Sequence, residues 1–190
     1  MSAGTVAPGV GAAVGGGCED VGMPQGQVTT VTSAAGEVGV PVGAPAPDFT
    51  RRDQFGQDVT LSSFRGRKAV ALVFIPFAFS GVCTGELGGV RDRLADFLTF
   101  DTEVLALSCD PVYSLRAFAD RDGLNFPLLS DFWPHGEVAR SYGVFDEVRG
   151  CPRRSSYVVG VDGTIRWAVH NQMADGRDLS AHLDALRAGV

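Results

Sequence analysis

Residues 69–75 read AVALVFI, an unbroken apolar run that stops at Pro76. Seven residues is strand length and short for a helix, and a strand that is apolar at every position is one buried on both faces. Such a strand needs helices packed above and below its sheet, which predicts an α/β architecture. The next segments fit. After a turn at Ser80 and Gly81, the residues Cys83, Leu87, Val90, Leu94 and Phe97 recur at helical spacing, with Glu86, Arg91, Arg93 and Asp96 on the polar face. Residues 104–108 (VLALS) then give a second core strand, ended by Cys109, Asp110 and Pro111. Strand, helix and strand in this order make a βαβ unit.

Working outward, residues 59–61 are a short strand candidate before this unit. After it come a helix over 113–122 closed by Gly123, a short apolar segment at 126–129 and a short helix at 137–142 ended by Gly143. Residues 156–161 and 164–169 flank Asp162-Gly163, a strong hairpin dipeptide. A helix at 179–186 closes the pattern. A βαβ unit, a helix, a hairpin and a last helix outline a thioredoxin-like fold, a mixed central sheet flanked by helices.

The chain has 190 residues, 45% hydrophobic and 20% charged, which predicts one globular domain. Sixteen basic against 22 acidic residues give a net charge of −6, and no basic cluster exceeds Arg65, Arg67 and Lys68. Nucleic acid and anionic membrane surfaces are therefore poor partners. Residues 69–79 are about half of the roughly 20 apolar residues that a membrane span requires. The composition shifts near residue 43. Before Phe49 there is no Leu, Ile, Phe, Tyr or Trp, and before Arg51 no Lys or Arg. Residues 1–42 thus read as a disordered Gly, Ala and Val-rich extension without the basic residues of a targeting signal, and residues 43–190 as the folded domain. The expected location is the cytoplasm.

The chemistry concentrates in Pro76-Phe77-Ala78-Phe79-Ser80-Gly81-Val82-Cys83, between the buried strand and its helix. Cys83 falls in the first helical turn, where unpaired N–H groups and the positive dipole end favour a thiolate. Ser80 can place a hydroxyl over the sulfur, and Pro76 offers a face without an N–H to keep water away. Glu86 can orient an arginine. The four cysteines, at 18, 83, 109 and 151, lie too far apart in sequence for a CxxC motif or a short-spaced zinc site, so no metal or cofactor is expected. Each residue also has a plain structural reading. Pro76 can end a strand, Ser80 can cap a helix, Glu86 can be a solvated charge, and Cys83 or Cys109 can be a small core residue.

The Pro-x-x-x-Ser-x-x-Cys string resembles the peroxiredoxins, and the wider text resembles most closely their alkyl hydroperoxide reductase E type, the one-cysteine enzymes of actinobacteria. The segments APDFTRRDQFGQDVTL, FIPFAFSGVCTGEL, FPLLSDFWPHGEVARSYGVFDE and SYVVGVDGTIRW carry the likeness over about residues 42–186. The resemblance implies a thiol peroxidase for hydrogen peroxide, organic hydroperoxides and peroxynitrite, passing through a sulfenic acid. It makes Cys83 the peroxidatic cysteine, Pro76 and Ser80 its pocket partners, and Arg154, rather than the adjacent Arg153, the active-site arginine. Ser80 stands where most members have Thr.

The resemblance further implies an external thiol donor, of the mycothiol and mycoredoxin, glutaredoxin or thioredoxin type, and a homodimer. Phe132, Trp133 and His135 are apolar for a loop and either pack on the core or line the subunit interface. Two alternatives stay open: a two-cysteine enzyme resolving through Cys151 or Cys109, and a non-turnover peroxide sensor or holdase using the same Cys83.

Overall fold

The computed structural model describes residues 38–188 together with Met1 and Gly4. Most of the expected N-terminal extension, Cys18 included, lies outside the described residues. Residues Gly36–Val190 form a compact unit, and within it Val40 already donates its N–H to the Tyr157 hydroxyl at 3.2 Å.

The central sheet has five strands. The apolar run forms β3 (Ala69–Phe74), all six residues buried. Its parallel neighbour is β4 (Thr102–Ser108), in turn parallel to β5 (Leu128–Ser130). On the other side β3 pairs antiparallel with β8 (Arg154–Val159), which pairs antiparallel with β9 (Ile165–Asn171). The order is β5-β4-β3-β8-β9, so the run that suggests the fold is the middle strand. Short antiparallel pairs flank the sheet: β1 (Thr50–Arg52) with β2 (Asp58–Thr60), and β6 (Phe145–Asp146) with β7 (Cys151–Pro152). Leu61 opens a 3-10 turn, Leu61–Phe64, rather than ending a strand.

The helices are α1 (Gly81–Asp92), α2 (Leu94–Thr99), α3 (Val112–Asp122), α4 (Glu137–Ser141) and α5 (Leu179–Arg187). The periodicity from Cys83 to Phe97 suggests one helix, and the structure divides it. At Arg93 the backbone leaves helical geometry (φ −115°, ψ 15°) and its N–H turns back to Val90 and Arg91, which re-aims the chain so that Phe97 is buried. Gly123 and Gly143, both near φ +65°, stop α3 and α4 where glycine tolerates left-handed backbone.

Two cores sandwich the sheet, as a strand buried on both faces requires. One holds Ala71, Val73 and Val158 with Cys83, Leu87, Val90, Phe97, Leu115, Phe118 and Leu183. The other holds Leu72, Phe74 and Tyr157 with Cys109, Val138, Tyr142 and Val144. Alternation along β8 thus sends Val158 to the α1 face and Tyr157 to the opposite one. Because β8 runs antiparallel to β3 with Ser155 opposite Phe74, its first residue, Arg154, lands where β3 hands over to the loop before α1.

Candidate active site

Pro76 is buried at the end of that handover, and the loop after it is pinned from β4's end: the Asp110 carboxylate accepts the Ala78 N–H at 2.8 Å. Cys83 is the third residue of α1, and the protein covers it entirely. Arg154 Nη1 lies 3.3 Å from Cys83 Sγ and 2.8 Å from Glu86 Oε2. Its Nε donates to the Met173 carbonyl at 2.6 Å, so the guanidinium is fixed from both sides. Arg153, its neighbour, is exposed.

Glu86 departs from the expected solvated polar face. Only 6% of it is exposed, because two arginines replace its water. Arg177 grips it with Nε to Oε1 at 3.0 Å, Nη2 to Oε2 at 2.8 Å and its own backbone N–H to Oε1 at 2.8 Å. Burial by itself would raise the Glu86 carboxyl, but the hydrogen bonds and charge of Arg177, joined by the charge of Arg154, outweigh it and hold the carboxyl below its ordinary value. Arg177 also donates from Nη1 to the carbonyls of Phe74 and Ser155 and to the Ser156 hydroxyl, tying β3 to β8 at the site. Two buried guanidinium groups face one carboxylate. A thiolate at Cys83 brings this cluster to neutrality, and its 3.3 Å neighbour is a charged donor.

Arg177 is the site residue that sequence reading misses. It sits in Asp-Gly-Arg-Asp, which looks like an exposed loop, and its partner is 91 positions away. No local signal marks it, because Glu86 itself reads as a solvated charge.

Ser80 is at the N-cap of α1 but makes no side-chain capping bond there. Its hydroxyl donates to the Phe77 carbonyl at 3.2 Å. The proton expected to point at a bound substrate is thus committed to the loop, and the oxygen lone pairs are what Ser80 presents.

Neither of the other two described thiols shares a hydrogen bond with this cluster. Cys109 belongs to the opposite core, and burial, with the charge of Asp131, pushes its thiol up to about 12. Cys151 is fully buried in β7, and burial, with the charge of Asp146, pushes it up to about 11. All three described cysteines are free. Phe132 and Trp133 do not pack on the core. They are 51% and 79% exposed, and with Phe55 and Tyr113 they line a cleft of about 670 Å³.

Comparison with known proteins gives a consistent result. The AhpC/TSA family matches residues 42–168. The chain is 50% identical to alkyl hydroperoxide reductase E of Mycobacterium tuberculosis over 147 residues, which is 77% of this chain and 96% of that protein. It is 33% identical to the chloroplastic 2-Cys peroxiredoxin BAS1 of Arabidopsis thaliana, over 77% of this chain and 58% of that one. Among solved structures, peroxidoxin BcpB from Mycobacterium tuberculosis superposes with a TM-score of 0.70 at 29% identity, over 81% of this chain and 99% of that chain. AhpC of Enterococcus faecalis gives 0.71 at 30% identity, over 77% and 90%.

Proposed function

The chain belongs to the AhpC/TSA family of peroxiredoxins and is a thiol-dependent peroxidase, and from that premise we propose that Cys83 is the residue peroxide oxidises, with Arg154, Ser80 and Pro76 as its pocket and Glu86 in support. The observation that carries this reading is the 3.3 Å approach of Arg154 to the Cys83 sulfur within a buried cluster that holds one surplus positive charge.

The Cys83 thiolate attacks one peroxide oxygen along the O–O axis. A sulfur–oxygen bond forms and the O–O bond breaks. The sulfur loses two electrons, and the other oxygen leaves as alkoxide or hydroxide and takes a proton from solvent. Arg154 and the Cys83 N–H at the helix start stabilise the negative charge that spreads over the oxygens as the bond stretches. Ser80, with its own proton on Phe77, accepts the hydroperoxide O–H. Pro76 closes the pocket without adding an N–H that would hold water.

The sulfenic acid then condenses with an external thiol to a mixed disulfide and water, and a second thiol releases Cys83. The raised Cys109 and Cys151 thiols are protonated at neutral pH and thus poor attacking groups, which supports the external route over the two-cysteine one. A low-molecular-weight thiol, or a mycoredoxin, glutaredoxin or thioredoxin-type protein, fits that role. Exposed Phe132 and Trp133 support a homodimer through this loop. Among the described residues no helix is long and apolar enough to cross a membrane, and a cytoplasmic enzyme is the reading we favour.

The test is peroxide consumption with a thiol donor. Cys83→Ser is expected to abolish turnover and Cys18→Ser to leave it unchanged. Equal loss in both overturns the assignment, and consumption of about one peroxide per wild-type chain replaces the enzyme with the sensor reading.

A further inference from the structure

Cys83 is fully covered, so a bulky thiol reaches the sulfur only when the Cys83 turn opens, and something must govern how often it does. The turn has few local means of staying wound. The N-cap Ser80 makes no side-chain capping bond, and no acidic residue occupies the first turn. Four of the twelve residues of α1 are glycine (Gly81, Gly85, Gly88 and Gly89), the poorest helix former after proline. Packing does not demand the first two, since a Cβ at Gly81 or Gly85 would meet nothing within 4 Å. Just before the helix, Phe79 holds φ +64°, a left-handed backbone that a bulky side chain adopts only when its surroundings hold it there.

The surroundings that hold it come from α3. The Phe79 ring packs 5.0 Å from that of Phe118, and the Arg121 guanidinium lies over both, 4.7 Å from the Phe79 centroid and 5.6 Å from that of Phe118. Arg121 Nη2 also donates to the Thr84 hydroxyl at 3.3 Å, and its fork is steadied by Asp122 at 3.0 and 2.6 Å. One side chain thereby touches the residues on both sides of the turn, Phe79 before it and Thr84 next to Cys83.

We infer that Arg121 is a latch that, with Phe79 as its keeper, holds the Cys83 turn wound and so sets how readily the sulfur is presented to a thiol. Arg121 is a positioning residue that touches neither sulfur nor peroxide. The accessibility part stands on geometry alone, and its consequence for reduction of the sulfenic acid rests on the function proposed above.

Alkylation of the reduced protein by iodoacetamide, followed by peptide mass mapping, reads the latch directly, with Cys109 and Cys151 as internal references. An exposed cation–π contact and a hydroxyl hydrogen bond together correspond to about a tenfold change in an opening equilibrium. Arg121→Ala is therefore expected to speed labelling of Cys83 about tenfold and leave the other two within twofold. Phe79→Leu behaves alike, and Phe79→Tyr, which keeps the ring, restores the wild-type rate. Cys83 labelling unchanged within twofold in Arg121→Ala overturns the inference, as does a joint rise at all three buried thiols, which marks general loosening. No peroxide is present in this measurement. Its failure is thus distinct from a failure of the peroxidase reading, which shows instead as turnover surviving in Cys83→Ser.

Discussion

Arg177 and Glu86 meet fork to fork, Nε to Oε1 at 3.0 Å and Nη2 to Oε2 at 2.8 Å, with the arginine side chain 1% and the glutamate 4% exposed. Paired groups this deep are costly to break, because the survivor keeps its charge without a partner. Here the survivors would be two, Arg177 and Arg154, and Arg154 is the residue that faces the sulfur.

Glu86→Gln is accordingly expected to destabilise the fold by roughly 3–5 kcal/mol and to slow peroxide oxidation. The pH dependence has a definite sign. The folded-state carboxyl is held below its ordinary value, so its contribution is fully present above the unfolded value of about 4.3 and is lost as pH falls through the lower folded value. Urea unfolding between pH 3 and pH 6 checks this. The wild type loses stability toward the acid end more steeply than Glu86→Gln.

Arg154→Ala removes one charged donor from the oxygens and is expected to cost on the order of 100-fold in the rate of peroxide oxidation, with binding of the reducing thiol little altered. Arg154→Lys recovers part of this at most, because a lysine cannot serve Cys83, Glu86 and the Met173 carbonyl together. Single-turnover stopped-flow measurement reads the oxidation step alone.

His182, on α5, is fully buried against Trp167, and its Nε2 has no hydrogen-bond partner among the described residues. Burial, helped by the charge of Arg177, pushes it down to about 4. Since this histidine is harder to protonate folded than unfolded, stability falls as pH drops from about 6.5 to about 4 and levels below that, by on the order of 3 kcal/mol in all. His182→Leu removes this slope, so thermal melts of the variant at pH 7 and pH 5 differ less than those of the parent.

The double variant Cys109→Ser with Cys151→Ser is expected to retain most of its turnover with an external thiol, since neither thiol is needed if reduction comes from outside. Loss of turnover with the enzyme stalled as sulfenic acid, while the parent forms an internal disulfide containing Cys83, restores the two-cysteine alternative.

The parts of this protein that are legible in its sequence are those where one local pattern decides the outcome. The apolar run of β3 admits only a doubly buried strand, and Pro76 to Cys83 is contiguous, so strand end, loop and helix start are read together. Arg154 is named only through the family resemblance, and its place at the start of a strand antiparallel to β3 is a matter of tertiary pairing. What escapes is set by contacts remote in sequence. Glu86 looks solvated because its charge type is, and only Arg177, 91 positions on, makes its burial tolerable. The break at Arg93 is invisible to a periodicity that Leu94 and Phe97 continue, and the proton of Ser80 is claimed by a carbonyl three residues back.

Oxidation of Cys83 by peroxide is read by peptide mapping after one equivalent of hydrogen peroxide, with dimedone present to trap sulfenic acid. The dimedone adduct is expected on the peptide containing Cys83, with Cys109 and Cys151 recovered as free thiols. An adduct confined to another cysteine, with Cys83 still reduced, would contradict it.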